Sequence, residues 1–163
     1  MISNEGMNEP SFHVVLVHPD IPHNTGAIGR LCLSTGARLH LVKPLGFELD
    51  EKAVKRAGLD YWPHVDLVVW ESLEEFEAHL EQAEASYHLL TTKTEQQYWQ
   101  SSYQKGDYLI FGSETRGLPE SLLEASAAQC STIPMDTTHV RSLNLATAAG
   151  IVLYEGMRQT QGE

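Results

Sequence analysis

Three polar loops carry most of the side chains in this chain that could do chemistry. They span 19–26 (PDIPHNTG), 112–119 (GSETRGLP) and 135–142 (MDTTHVRS), and each follows a short apolar run. Gly112 and Gly117 permit a close backbone approach or a positive φ. Glu114 admits two readings, a functional carboxylate or a loop carboxylate paired with Arg116. The stretch 112–117 departs from a phosphate loop, because Leu118-Pro119 stands where Lys-Ser/Thr is required. No GxGxxG follows the first apolar run, so ATPase and standard dinucleotide-binding readings are both disfavoured. His13, His18 and His23 are metal-ligand types, but His13 lies inside an apolar run and the other two flank a pair of prolines. No metal site is expected. No nucleophile elbow supports Ser/His/Asp hydrolysis. Cys32 and Cys130 have no partner at zinc-ligand spacing and read as small buried residues.

The elements that must position these loops follow from periodicity. Apolar runs at 12–18, 38–43, 65–69, 87–92, 107–111 and 130–133 read as strands. Helices are expected between them, at 24–36, 51–57, 73–83 and 120–125. The first helix stops at Gly36, the second is capped by Asp50 and stopped by Gly58, and the third opens on the capping-box pair Ser72 and Glu75. A last helix is expected after Ser142 as N-cap, with Leu145, Ala148, Ala149, Val152 and Leu153 at helical spacing. Residues 94–105 show no clear period. Residues 1–11 read as a disordered extension and 12–163 as one domain. The fold class is α/β, a mostly parallel sheet with helices on both faces. Strand-end loops gather along one edge of such a sheet, where ligands bind. Ordinary connection rules predict an unknotted sheet.

The chain has 163 residues and a formal net charge of −11, which argues at first against nucleic acid. The charge is uneven. Residues 66–84 hold seven acids and no Lys or Arg, whereas 24–56 hold six basic residues against three acidic. A modest basic face opposite an acidic one is compatible with that distribution. No run of eighteen apolar residues and no leader pattern is present, so a cytoplasmic protein without a membrane partner is expected.

Three segments in order are more specific than any of them alone. They are 24–30 (NTGAIGR), 111–119 (FGSETRGLP), and 133–135 (IPM) with 141–145 (RSLNL). Together they resemble the three motifs of the SPOUT-class RNA 2′-O-ribose methyltransferases, from about Phe12 onward. The compact length, 56–61 (RAGLDY), 90–93 (LTTK) and Tyr154-Glu155 are similar to the TrmL (YibK) type, which methylates the wobble nucleotide of tRNA. Two departures are visible. Ala146-Thr147 stands where the family often has Ser-Asn, and Ser113 where Pro is common.

The resemblance implies a C-terminal trefoil knot around Leu90, Gly112 and Ile133, a homodimer, and S-adenosyl-L-methionine as cofactor. Leu90, Gly112, Ile133 and Ser142 would line its pocket, with Gly117, Met135 and Leu143 adjacent. Arg30 would be the key catalytic arginine, and Tyr154 would approach the target nucleotide across the dimer. Arg30, Arg56 and Arg141 would contact the anticodon stem-loop. Leu33, Leu153 and Tyr154 would meet at the subunit interface. Three other readings stay open. They are ribose methylation at another tRNA or rRNA position, a non-catalytic RNA-binding knot dimer, and a flavodoxin-like nucleotide-binding protein.

Overall fold

In the computed structural model the described residues are 9–56 and 59–162. The expected helix stop at Gly58 and the extension over 1–8 lie outside them. Ser11, placed in the extension by the sequence, is tied to the fold. Its N–H donates to the Gly36 carbonyl, its hydroxyl to the Thr35 carbonyl, and its own carbonyl accepts from Gly106 N–H.

Among the described residues six strands form one sheet: β1 (His13–Val17), β2 (Arg38–Val42), β3 (Leu67–Trp70), β4 (Tyr87–Leu90), β5 (Tyr108–Phe111) and β6 (Cys130–Ser131). The order across the sheet is β3-β2-β1-β5-β4-β6, and every pairing is parallel. Parallel strands covered on both faces need apolar side chains in both directions, which is why these segments read as unbroken apolar runs. Alternate residues then face opposite layers. Val14, Leu16, Leu109 and Phe111 join one core with α1 (Pro22–Thr35) and α5 (Leu145–Gln159). Val15, Val17, Tyr108 and Ile110 join a second with α3 (Leu73–Gln82) and α4 (Glu120–Ala125). A short helix, α2 (Glu51–Arg56), follows the loop after β2.

The helix ends follow local chemistry. Pro22 opens α1, where its missing N–H costs nothing, and Gly36 closes it in the left-handed conformation at φ 72°. Asp50 Oδ1 accepts from Ala53 N–H at 2.6 Å at the start of α2. Ser72 caps α3 by accepting from Glu75 N–H, while the Glu75 carboxylate takes the Glu71 N–H rather than that of Ser72. The last helix corrects the sequence reading. Its N-cap is Asn144, whose side chain accepts from Thr147 N–H, and Ser142 lies two residues before it.

The stretch without a period, 94–105, holds a single 3-10 turn at Tyr98–Gln100. It is fixed by tertiary contacts. Thr132 N–H donates to the Gln96 carbonyl, and Tyr98 N–H to the Thr132 carbonyl. The Gln159 amide bridges Ser101 and Tyr103.

Candidate functional site at the C-terminal edge of the sheet

The three polar loops meet where β1, β5 and β6 end. One carboxylate and two amides tie them together. Glu114 accepts from the backbone N–H of Asp20 at 2.9 Å and of Ile21 at 2.7 Å, and from the Asn24 amide at 3.2 Å. Asn24 Oδ1 in turn accepts from the Asn144 amide at 3.0 Å, and Asn144 Oδ1 caps α5. The first, second and third loops thus share one chain of hydrogen bonds. A negative charge against the opening of α1 is also favoured by the helix dipole. Of the two readings of Glu114, the pairing with Arg116 is the one the structure contradicts. Glu114 pairs with the start of α1, and Arg116 forms no side-chain hydrogen bond or ion pair among the described residues.

The two glycines of the second loop act differently. A Cβ on Gly112 would fall 2.1 Å from the Gly117 carbonyl carbon and 2.2 Å from Leu118 N, so the close approach at Gly112 is to the chain's own backbone. Gly117 supplies the positive φ, 70°, that lets the loop fold back and exchange hydrogen bonds with Ser113.

Folded this way, the loops enclose a cavity of about 720 Å³. Leu90, Gly112, Gly117, Ile133, Met135, Ser142 and Leu143 all line it, although they come from separate segments spread over more than fifty positions. Arg141, Asn24, Glu114 and Asn144 line it as well. Reading residue types alone missed Asn24 and Asn144 as partners. The visible signal was an Asn near the start of the helix after the first loop and of the helix after the third.

Arg30, Tyr154 and Arg56 are not brought into this cavity. Arg30 is exposed on α1, six residues past Asn24, a rise of about 9 Å along the helix. Tyr154 is 53% exposed on α5. Arg56, exposed on α2, donates to the Lys52 carbonyl at 3.4 Å. Leu33 is exposed, but Leu153, grouped with it as an interface residue, is fully buried against the first core. The expected basic face is reduced, because Arg38 pairs with Asp66 at 2.9 Å and Lys43 with Glu71 at 3.2 Å. Among the described residues no group of three or more metal-ligand side chains is assembled, and no helix is long and apolar enough to cross a membrane.

The model of the SpoU rRNA methylase family matches residues 11–154, a span that contains every loop of this site. The chain belongs to that family. A relative from Methylovorus glucosotrophus, named tRNA (cytidine(34)-2′-O)-methyltransferase, is 46% identical over 149 residues, 91% of this chain and 95% of the relative. A solved structure described as giving insights into the 2-OH methylation of C/U34 on tRNA superposes with a TM-score of 0.84 at 42% identity, covering 96% of this chain and 100% of that one. An AdoMet-bound rRNA methyltransferase from Sinorhizobium meliloti shares the SpoU fold at a TM-score of 0.78 and 27% identity, covering 93% of this chain and 57% of that one.

Proposed function

We propose that this SpoU-family protein is a tRNA methyltransferase of the TrmL type, transferring a methyl group from S-adenosyl-L-methionine to the ribose 2′-hydroxyl of nucleotide 34, a cytidine or uridine. The observation that carries the reading is the convergence of seven residues from separate loops on one cavity. The relatives that match almost the whole chain are named for this reaction. Nucleotide 34 places the substrate contact at the anticodon loop, and the work in the cytoplasm.

The residues fit the cofactor. A cavity of about 720 Å³ lies within the range of small-molecule sites, and its lining mixes apolar side chains with backbone and hydroxyl groups, as adenine and methionine require. Leu90, Ile133, Met135 and Leu143 would supply the apolar walls, and Gly112, Gly117 and Ser142 the close polar contacts. When bound, the cofactor supplies a methyl group already activated on a sulfonium sulfur. The protein's task is to align the ribose and ease loss of the 2′-hydroxyl proton. The Glu114–Asn24–Asn144 relay holds the loops for that alignment. A guanidinium offers donors and no acceptor, so the role of Arg30 is to hold an RNA phosphate and stabilise the oxygen as its proton leaves. Arg141, exposed at the cavity wall, and Arg56 add contacts to the RNA backbone.

A trefoil knot and a homodimer complete the reading. Just past β6, Thr132 exchanges both of its backbone hydrogen bonds with Gln96 and Tyr98 of the 91–107 segment, which supports a knot closing on Leu90, Gly112 and Ile133. The exposed face of α1 and α5, with Leu33 and Tyr154, would meet its copy in a homodimer. Arg30 and Tyr154 would then serve RNA bound across two subunits. Incubation with methyl-labelled cofactor and anticodon stem-loops, followed by mass spectrometry of the nucleosides, tests the function. Label in a 2′-O-methylpyrimidine at position 34 supports it, and label confined to a base, or none, contradicts it.

A further inference from the structure

A second cleft, of about 490 Å³, lies on the other side of the turn that borders the cofactor cavity. We infer that it receives the base of the nucleotide being methylated, with Arg116 on the adjoining phosphate; this rests on the ribose-methylation reading above. The cleft is built at the ends of β1 and β2, by His18 and Asp20 on one side and Pro44 and Leu45 on the other, under Leu118 and Pro119. Lys93, Ser113, Arg116, Gly117 and Leu118 line both spaces, so a single turn separates them.

The chemistry of the cleft matches a nucleotide in three respects. Pro44, Leu45, Leu118 and Pro119 provide apolar surface for the faces of a planar base. His18 provides a fixed acceptor. Its backbone N–H and its ring Nδ1 both meet the Val42 carbonyl, at 3.0 and 3.2 Å. A carbonyl only accepts, so Nδ1 donates, and in the neutral ring Nε2 is the nitrogen left to accept. Nε2 has no partner among the described residues. His18 holds this arrangement at φ 55°, a conformation that few residues other than glycine adopt. Cytosine and uracil share an N–H donor on the pairing edge, an exocyclic amine or a ring N–H. An acceptor there can take a hydrogen bond from either base.

The charges are arranged to match. Asp20 accepts from the Thr115 hydroxyl at 2.6 Å, and Glu120 lies 3.7 Å from Lys93, so both carboxylates have partners within the protein. Arg116 is exposed and its guanidinium has none among the described residues. Its planar fork suits a phosphate.

The test uses the full chain saturated with S-adenosylhomocysteine, so that the larger cavity is filled, and cytidine 5′-monophosphate as the probe. Amide resonances of His18, Leu45 and Leu118 should shift on titration, and ribose 5-phosphate should leave His18 unmoved. Arg116→Ala should weaken the nucleotide about tenfold, the scale of one charge-assisted bidentate contact. His18→Asn, which tolerates the left-handed backbone, should erase most of the preference for cytidine monophosphate over ribose phosphate. Shifts absent from His18 and Leu45, or an unchanged affinity in Arg116→Ala, would overturn the inference. Stem-loop methylation by the wild type is read separately. Turnover without nucleotide at His18 sinks this inference alone, whereas nucleotide at His18 without turnover sinks the methylation reading and with it the cleft's assignment to a methylated nucleotide, leaving only a nucleotide-binding cleft.

Discussion

Beneath α3, the side chains of His13, His40, Trp70, His79 and Tyr108 hydrogen-bond only to one another. At the opposite extreme, Arg30, Arg116 and Arg141 donate no side-chain hydrogen bond and form no ion pair among the described residues. The inner cluster is directional. Trp70 Nε1 donates to His40 Nδ1 at 3.0 Å, so His40 carries its proton on Nε2 and donates to His13 Nδ1 at 2.8 Å. His13 also stacks on Tyr108 with ring centroids 4.0 Å apart. Every group has a use inside the protein, and three histidines that would attract a search for metal or acid–base chemistry serve as scaffold. The arginines near the loops have no such use. Satisfied polar groups mark structure here, and under the proposed function the unpartnered exposed arginines would mark the face that meets RNA.

Between these regions the loops themselves are both scaffold and site, and the largest effect is expected there. Gly112→Val would drive a branched side chain into the Gly117–Leu118 peptide. It should abolish cofactor binding and lower stability by about 3 kcal/mol or more, on the order of a 10 °C fall in Tm. Calorimetry of folding and binding checks both, and an unchanged Tm would contradict the assigned loop geometry. Glu114→Ala comes next. It strips a carboxylate from two backbone N–H groups and from Asn24, and should cost about 2 kcal/mol and tenfold or more in cofactor affinity. Chemical denaturation alongside titration with S-adenosylhomocysteine would expose a Glu114 that matters to neither.

A further effect belongs to the inner cluster and appears only with pH. Burial, reinforced by nearby Arg38, lowers the His13 pKa to about 4; burial, with His13 close by, lowers that of His40 to about 2. Both lie below the unfolded value near 6.5, so between them the unfolded chain binds more protons. Stability should be full above pH 6.5 and decline as pH falls toward 4. Urea midpoints between pH 7 and 5, where most carboxylates remain ionised, measure it. A flat profile would mean that the imidazoles take up protons without disturbing the cluster. His13→Phe should reduce the slope.

Much of this arrangement is legible in the chain before any coordinates. Strands buried on both faces announce themselves as apolar runs, and Gly36, Asp50 and Ser72 stop or cap helices by short-range chemistry. The seven cavity residues came from motif likeness, since nothing in local pattern says that Leu90 and Ser142 meet. What local reasoning missed depends on distant partners. Asn144 displaces Ser142 as N-cap while its amide reaches Asn24, 120 positions away. Leu153 and Tyr154 are neighbours in sequence, yet one is fully buried and the other 53% exposed. The basic segment loses Arg38 and Lys43 to Asp66 and Glu71, carboxylates that strand pairing brings alongside.

The comparison rests finally on whether an unpartnered arginine acts on RNA, and Arg30 decides it. Single-turnover methylation of the anticodon stem-loop by Arg30→Ala, at saturating RNA and with cofactor affinity measured in parallel, is the direct measurement. The rate should fall by ~100-fold or more, the scale of losing one preorganised charge at a reacting centre. Cofactor affinity should stay within about twofold of wild type, because Arg30 does not line that cavity. Arg30→Lys should recover little, since a point charge cannot reproduce the planar contact. A near-normal rate in Arg30→Ala would contradict the account and return Arg30 to an ordinary solvated position on α1.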